Sequence, residues 1–447
     1  MKASADTIFA LSSGHGRAGV AVIRISGPTA GEALDRMAAP RPQPRLAALR
    51  RVRHPQTGEV LDYGLALWFP GPKSETGEDM AELQVHGGHA VIAGVLGALG
   101  TIEGCRLAEP GEFARRAFEN GKLDLTAVEG LADLIDAETG AQRRQALRQA
   151  GGALGAIYSG WRRRLVSATA LMEAAIDFSE EADVASDSVV KARGQAEALL
   201  EEIGRHLDDG HRGEVLREGF KVVLAGPPNV GKSSLLNALA RRDVAIVSDE
   251  AGTTRDVLEV RLDLEGMPII VSDTAGLREA SGKVEEEGMR RTRARARDAD
   301  LVLWLVDATD LDQPVPADLE VRGERVLVVV NKFDLLETNV LQPLPDGAVA
   351  ISARTGFGLD RLTLRLAAYA RARIGSDETP ALTQARHRQQ LERCRAALST
   401  FLASPMEEFE LRAEDLRRAS LALGRIVGLV DPEEVLGEIF GRFCIGK

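Results

Sequence analysis

The sequence predicts a multidomain protein of mixed α/β and α class: an N-terminal α+β domain, a helical domain, and an α/β domain inserted into the helical one. Three observations carry this. At 447 residues the chain exceeds what a single hydrophobic core supports. Residues 218–374 alternate continuous apolar runs with helical stretches, the pattern of a parallel sheet covered on both faces. The flanking segments, from about Leu123 to Arg217 and again after Arg373, carry helix formers and helical spacing, as at Leu131, Leu134 and Ile135. Two helical stretches around one βαβ region are most simply one domain with an insertion. The expected boundaries are 1–120, 121–217, 218–374 and 375–447.

In chain order, Val20–Ile25 and Leu65–Phe69 are short β-like runs set among Gly and Pro. Phe220–Ala225 is a buried-strand run that leads directly into Gly226-Pro-Pro-Asn-Val-Gly231-Lys232-Ser233, and Ser234–Ala240 then reads as a helix start. Next, Leu258, Val260, Leu262 and Leu264 alternate with Glu259, Arg261 and Asp263, as a half-buried strand does. After a turn at Glu265-Gly266, Ile269–Val271 is a second strand, followed by Asp273-Thr274-Ala275-Gly276. Leu301–Val306 and Val326–Val330 are continuous apolar strands, the second ending in Asn331-Lys332-Phe333-Asp334. Ile351-Ser352-Ala353-Arg354 supplies a last loop.

These strand ends carry chemistry. GxxxxGK[ST] between a strand and a helix lets backbone N–H groups of Asn229, Val230, Gly231 and Ser234 wrap phosphates at a helix N-terminus. Lys232 then reaches the β- and γ-phosphates, and Ser233 offers a hydroxyl to Mg²⁺. Asp273 can hold the Mg²⁺ water shell, and the Gly276 N–H can sense the γ-phosphate. The Asp334 carboxylate can accept both the ring N–H and the exocyclic amine of guanine, an edge that adenine lacks. Ser352, Ala353 and Arg354 form the loop for the guanine oxygen. DxxG or NKxD alone is weak. Four such motifs in order predict a Ras-like P-loop domain that binds GTP.

The loop Asp249-Glu250-Ala251-Gly252-Thr253-Thr254 lies where a first switch belongs, with Thr254 placed as the second Mg²⁺ hydroxyl. A Gln after DxxG would position the attacking water, but Leu277 stands there, so another residue or a cation must help. Asn229 is either a ligand for a monovalent cation or a loop hydrogen-bonding residue.

Composition bounds the rest. Hydrophobic residues make up 44% and charged residues 28%, ordinary for a globular protein. No apolar run approaches a membrane span and no signal-peptide pattern opens the chain, so a cytosolic, cytoplasmic protein without a membrane partner is expected. A net charge of −11 argues against a broad electropositive surface for nucleic acid. The arginine clusters at 143–148, 162–164 and 290–297 are read first as solvated helix faces. The three cysteines, Cys105, Cys394 and Cys444, indicate neither a disulfide framework nor a zinc site.

The Asn229-bearing loop, Gly252-Thr-Thr-Arg-Asp256 and Asp273-Thr-Ala-Gly-Leu-Arg278 resemble potassium-dependent GTPases related to Era. Marks outside this region narrow the resemblance to the MnmE (TrmE) family of tRNA uridine-modification GTPases, over essentially the whole chain. They include Ile23-Arg24-Ile25-Ser26-Gly27, Glu82-Leu-Gln84, His86-Gly-Gly88, Pro110-Gly-Glu-Phe113, Lys122-Leu-Asp-Leu125 and the terminal Phe443-Cys-Ile-Gly-Lys447.

The resemblance implies an N-terminal folate-binding domain that also dimerises, making a homodimer. It further implies a flavin-dependent MnmG-like partner in a heterotetramer, and tRNA as substrate. The two proteins together modify carbon 5 of the wobble uridine, installing a carboxymethylaminomethyl-type group. A tetrahydrofolate derivative (5-formyl- or 5,10-methylene-tetrahydrofolate) is the one-carbon donor. Carried over by position, Arg24, Glu82, Lys122 and Lys447 match the folate contacts. Side chains of Asn229 and Thr253 and the main chain at Ser248 and Glu250 match the K⁺ ligands. Glu285 matches the water-orienting acid, although its neighbours Glu286 and Glu287 are chemically equivalent. Cys444 is either a redox or nucleophilic thiol in modification or a packed structural one; Gly446 and Lys447 do not fit a prenylation box. Ala18 replaces a family glycine, which predicts ordinary backbone there. A ribosome-assembly GTPase like Era is the competing reading, but only helical pattern follows Arg373, without the GxxG clamp of a KH domain.

Overall fold

The computed structural model describes residues 6–14, 16–178, 182–242, 244–246, 259–273, 298–316, 325–336, 344–375, 380–405, 408–430, 433–441, 443 and 445–446. The chain forms two compact units. One comprises Met1–Ala132, Arg148–Ala198 and Ala396–Lys447, the other Asp133–Leu147 and Leu199–Arg395.

The first unit holds a six-stranded sheet in the order β3-β4-β5-β2-β1-β6, built from β1 (Thr7–Leu11), β2 (Ala18–Ser26), β3 (Ala48–Arg53), β4 (Val60–Phe69), β5 (Met80–Gly87) and β6 (Cys105–Leu107). Its pairs are antiparallel except β1 with β6. Inward residues Ile23, Ile25, Leu83 and Val85 pack against α1 (Ala30–Met37) and α2 (His89–Leu99). Ala18 opens β2 opposite Gly87, in extended backbone as its side chain prefers. Downstream come α3 (Glu112–Glu119) and α4 (Leu125–Ile135), then the long α6 (Ala153–Asp177), after α5 (Gly140–Ala150). Helix α6 packs along α12 (Phe409–Val427), where Leu165, Met172, Leu416 and Leu423 are fully buried. The chain end docks in the same unit: Ile445 bridges Pro110, and the Ser12 hydroxyl donates to the Gly446 carbonyl at 2.7 Å.

The second unit holds the sheet that the sequence pattern predicts. Its order is β12-β11-β10-β7-β9-β8, from β7 (Phe220–Ala225), β8 (Glu259–Leu264), β9 (Met267–Asp273), β10 (Leu301–Asp307), β11 (Val326–Asn331) and β12 (Val349–Ala350). All pairs are parallel except the β8–β9 hairpin. Leu301–Val306 is buried at every position, the mark of a strand covered on both faces. Helices α9 (Lys232–Ala240) and α10 (Leu359–Ile374) cover the sheet through Leu235, Leu239, Leu362 and Leu366. Central β7 lies between β9 and β10, so crossovers leave it in both directions. In open α/β sheets the crevice at such a switch point, beyond the strand C-termini, is where ligands bind.

The segment Asp133–Leu147, helical in the sequence pattern, clusters with this sheet. Ala141 joins the same apolar core as Leu262, Leu264 and Ile269, and its N–H donates to the Gly266 carbonyl at the β8–β9 turn (3.1 Å). Arg261 adds a 3.0 Å bond to Glu138, and Gln142 donates to the Arg217 carbonyl at 3.1 Å. Composition marks this segment as helix, but nothing in it signals which core Ala141 enters.

Candidate functional site

The phosphate loop runs from β7 into α9. Gly226 (φ 142°) turns so close to β10 that an added Cβ would lie 2.5 Å from the Leu305 carbonyl. Gly231 (φ 97°) caps α9, and an added Cβ would lie 2.3 Å from the Asn331 side-chain nitrogen. Neither position accepts a side chain, which is the physical content of the two motif glycines. Asn229 sits in left-handed backbone (φ 60°) and is exposed, as are Ser233 and Ser234, while Val230 is buried.

Lys232 points back over this loop, its Nζ donating to the carbonyls of Gly226 (2.9 Å) and Pro227 (2.8 Å). Burial pushes its pKa below the ordinary lysine value, opposed by the nearby charge of Asp273. Such an ammonium gains by meeting an anion. The Ser233 hydroxyl donates to Asp273 Oδ2 at 2.7 Å, and Asp273 is fully buried at the end of β9. A hydroxyl and a carboxylate side by side next to a helix N-terminus form a hard oxygen donor set that fits Mg²⁺.

The base side is a second lock. Asn331 ends β11; its Nδ2 donates to the Val230 carbonyl (2.8 Å), and its Oδ1 accepts from the Ala353 N–H (3.0 Å). One buried amide therefore ties the phosphate loop to the 352–358 loop. Asp334 receives the Ser352 hydroxyl on Oδ1 at 2.6 Å and the Arg354 guanidinium on Oδ2 at 3.5 Å. Lys332 reaches Asp307 Oδ2 at 2.8 Å. Burial raises the Asp307 pKa, but bonds from Lys332 and Thr309 outweigh it and hold the carboxyl below its usual value. Asp307 and the loop-closing Phe357 were not found from the sequence. A carboxylate at the end of a continuous apolar strand was the available signal for Asp307.

A second polar cluster lies in the first unit. Arg24 and Glu82 are direct cross-strand partners on β2 and β5, and Arg24 Nη2 is 3.2 Å from Glu82 Oε1. Glu82 therefore is not an open acceptor: one of its oxygens is held by the very arginine proposed beside it. Arg24 Nη1 also meets Glu75 at 2.8 Å, and Lys122 Nζ donates to the Pro72 carbonyl at 2.9 Å. The 72–78 loop thus touches both cations. Behind it, the 4% exposed Arg116 side chain binds Asp6, Glu78 and Glu112, and the Ser26 hydroxyl donates to Glu78 at 2.7 Å. Ser26 and Glu112 stand in sequence stretches that carry the family resemblance, but their contacts here depend on strand register, which the sequence does not give.

Ser248, Asp249, Glu250, Ala251, Gly252, Thr253, Thr254, Thr274, Ala275, Gly276, Glu285, Cys444 and Lys447 lie outside the described residues. A cleft of about 380 Å³ lined by Asp133, Gln142, Arg217, Lys221 and Arg261 shares no residue with the nucleotide loops. Among the described residues no helix is long and apolar enough to cross a membrane.

Two family models match the chain: the TrmE N-terminus of GTP-binding proteins over residues 7–122 and the MnmE helical domain over residues 125–444. The tRNA modification GTPase MnmE of Parvibaculum lavamentivorans is 54% identical over 99% of this chain and 100% of its own. That of Rhodospirillum rubrum is 53% identical over 99% of both chains. The human mitochondrial 5-taurinomethyluridine-[tRNA] synthase subunit GTPB3 is 50% identical over 99% of this chain and 94% of its own. The solved G domain of FeoB from Methanococcus jannaschii overlaps 34% of this chain and 98% of its own at 26% identity, with a TM-score of 0.27. With family models spanning both flanks and half of all positions identical to full-length relatives, the chain belongs to the MnmE family of tRNA modification GTPases.

Proposed function

We propose that this GTPase hydrolyses GTP in a potassium-dependent way. We further propose that it works as a cytoplasmic homodimer with a flavin-dependent MnmG-like partner to modify carbon 5 of the wobble uridine of certain tRNAs. The observation that carries the nucleotide half is the convergence, at the switch point of one parallel sheet, of Lys232, the Ser233–Asp273 pair and Asp334. Phosphate, Mg²⁺ and guanine each meet a matching group there: an ammonium with helix amides, hard oxygens, and a carboxylate.

Mg²⁺ would be held by Ser233, with Thr254 as a second hydroxyl, and would offset charge on the phosphate oxygens. Asn229, Thr253 and the main chain at Ser248 and Glu250 would hold K⁺, where an arginine finger otherwise acts. Glu285 would orient the attacking water in place of the missing Gln. The human relative's name, a subunit of a synthase for a 5-substituted uridine in tRNA, supports both a partner and carbon 5 as the target.

The Arg24–Glu82 pair, with Lys122 and Lys447, is the proposed tetrahydrofolate site. The pair supports this because Arg24 holds only Oε1 of Glu82, which leaves the other oxygen able to accept from a pterin edge. The domain boundaries 1–120, 121–217, 218–374 and 375–447 belong to the same proposal.

The test is hydrolysis at equal ionic strength in potassium and in sodium. Rates should be much higher in potassium, and Asn229→Ala should abolish the difference while keeping most nucleotide affinity, since Lys232 and the loop amides remain. Equal wild-type rates in the two salts would overturn the potassium assignment.

A further inference from the structure

Two aromatic residues at positions that the nucleotide motifs leave unspecified meet at the base loops. Phe333 occupies the open position of Asn331-Lys-Phe-Asp334, and Phe357 lies three residues past Arg354. Their rings stack with centroids 5.5 Å apart and planes within 8°, inside the range of favourable offset pairs. Phe357 is 56% exposed, so burial alone does not account for where it sits.

The loop is shaped to put it there. Gly356 (φ 86°) and Gly358 (φ 71°) flank it in left-handed backbone, and a Cβ at Gly358 would lie 2.1 Å from the Ala350 carbonyl. The backbone cross-bonds the two loops as well. The Phe333 N–H donates to the Ile351 carbonyl at 3.0 Å, and the Ser352 N–H donates to the Phe357 carbonyl at 2.9 Å. Between these bonds sits the 2.6 Å contact from Ser352 to Asp334 Oδ1. The ring pair is therefore a clasp at the open end of the two loops that aim Asp334.

We infer that the Phe333–Phe357 stack is a positioning pair for guanine recognition, holding the 352–357 loop against the 331–335 loop so that Asp334 is aimed before nucleotide arrives. The inference rests on the reading of Asp334 as the carboxylate that accepts the guanine edge. Two parallel N–H bonds to one carboxylate demand a fixed plane, and a group set in advance loses less freedom on binding. A loosened clasp weakens the base contact while leaving the phosphate contacts intact. The ratio of GDP to inosine diphosphate affinity isolates this, because hypoxanthine lacks only the 2-amino group and the phosphate contribution cancels.

The experiment measures dissociation constants of GDP, inosine diphosphate and xanthosine diphosphate for the full-length protein and its variants. Phe357→Ala and Phe333→Ala should each lower the preference for GDP over inosine diphosphate about three- to tenfold, the scale of one aromatic pair. The double variant should lose no more than either single one, and Phe357→Tyr should retain the preference. Phe357→Leu keeps bulk without the stack and serves if Phe357→Ala fails to fold. An undiminished GDP preference in Phe357→Leu or Phe357→Ala would overturn the inference, provided that Asp334→Asn shifts affinity towards xanthosine diphosphate. If Asp334→Asn changes nothing, the reading of Asp334 falls and the inference with it.

Discussion

At the scale of single residues, catalysis must be divided between groups that bind GTP and groups that act only on the attacking water. Lys232, Ser233, Asp273 and Asp334 are proposed to be of the first kind, each fixed by a short bond within the described site. Glu285 is expected to be of the second kind. Glu285→Ala should lower kcat about 10²–10³-fold, the usual effect of removing one preorganised group, with GTP affinity nearly unchanged. Single-turnover hydrolysis beside equilibrium binding separates the two; a normal kcat would shift the role to Glu286, Glu287 or the cation. The motif residues were legible in the sequence because their spacing is imposed by the phosphates and the base. Glu75, Asp307 and Phe357 were not, since each meets its partner through strand register or a loop closure that no local spacing encodes.

At the scale of elements, two features position the sites. In the first unit α3 is anchored by Glu112, whose carboxylate takes the Arg106 guanidinium (2.6 and 2.8 Å), Arg116 (3.0 Å) and the Glu109 N–H (2.9 Å). Burial raises its pKa, but these donors outweigh it and hold the carboxyl below its ordinary value. A depressed folded-state pKa favours the native state above the unfolded value, and this stabilisation is lost as the pH falls through the folded value. Glu112→Gln should therefore cost about 1.5–3 kcal/mol near neutrality, the range for a hydrogen bond to a charged group. The gap to wild type should close in acid, below the ordinary glutamate value of about 4.3. Urea unfolding at two pH values checks this, and a gap independent of pH would contradict it.

In the second unit the β8–β9 hairpin leads into Asp273 and carries the first turn of α5 on its tip. Ala141 is 7% exposed in that core, so Ala141→Leu overpacks it and should cost about 1–3 kcal/mol. Hydrogen exchange should then rise first in β8 and β9; protection lost only in other strands would contradict the docking. The strands themselves were legible: Phe220–Ala225 was read to the residue, because apart from the exposed Lys221 it is an apolar run buried on both faces. Strands β3 and β5 went unread, since Arg50 and Arg51 in β3 and Glu82 and Gln84 in β5 dilute the apolar signal.

At the scale of the whole molecule, a GTP-hydrolysing sheet and an α+β domain with a buried ionic cluster are carried on one chain, and the family ties both to tRNA modification. The net charge of −11 argues against a broad electropositive surface, but it averages over the chain and does not speak to local arginine clusters. The central claim is that nucleotide chemistry at this site drives modification of the wobble uridine. Mass spectrometry of wobble uridine in tRNA from a host strain lacking this protein, complemented with wild type or with Lys232→Ala, tests it most directly. Loss of the carbon-5 substituent in the deletion strain, return with wild type and continued absence with Lys232→Ala is the predicted result. A deletion strain with intact modification, or full rescue by a stably expressed Lys232→Ala protein, would contradict it.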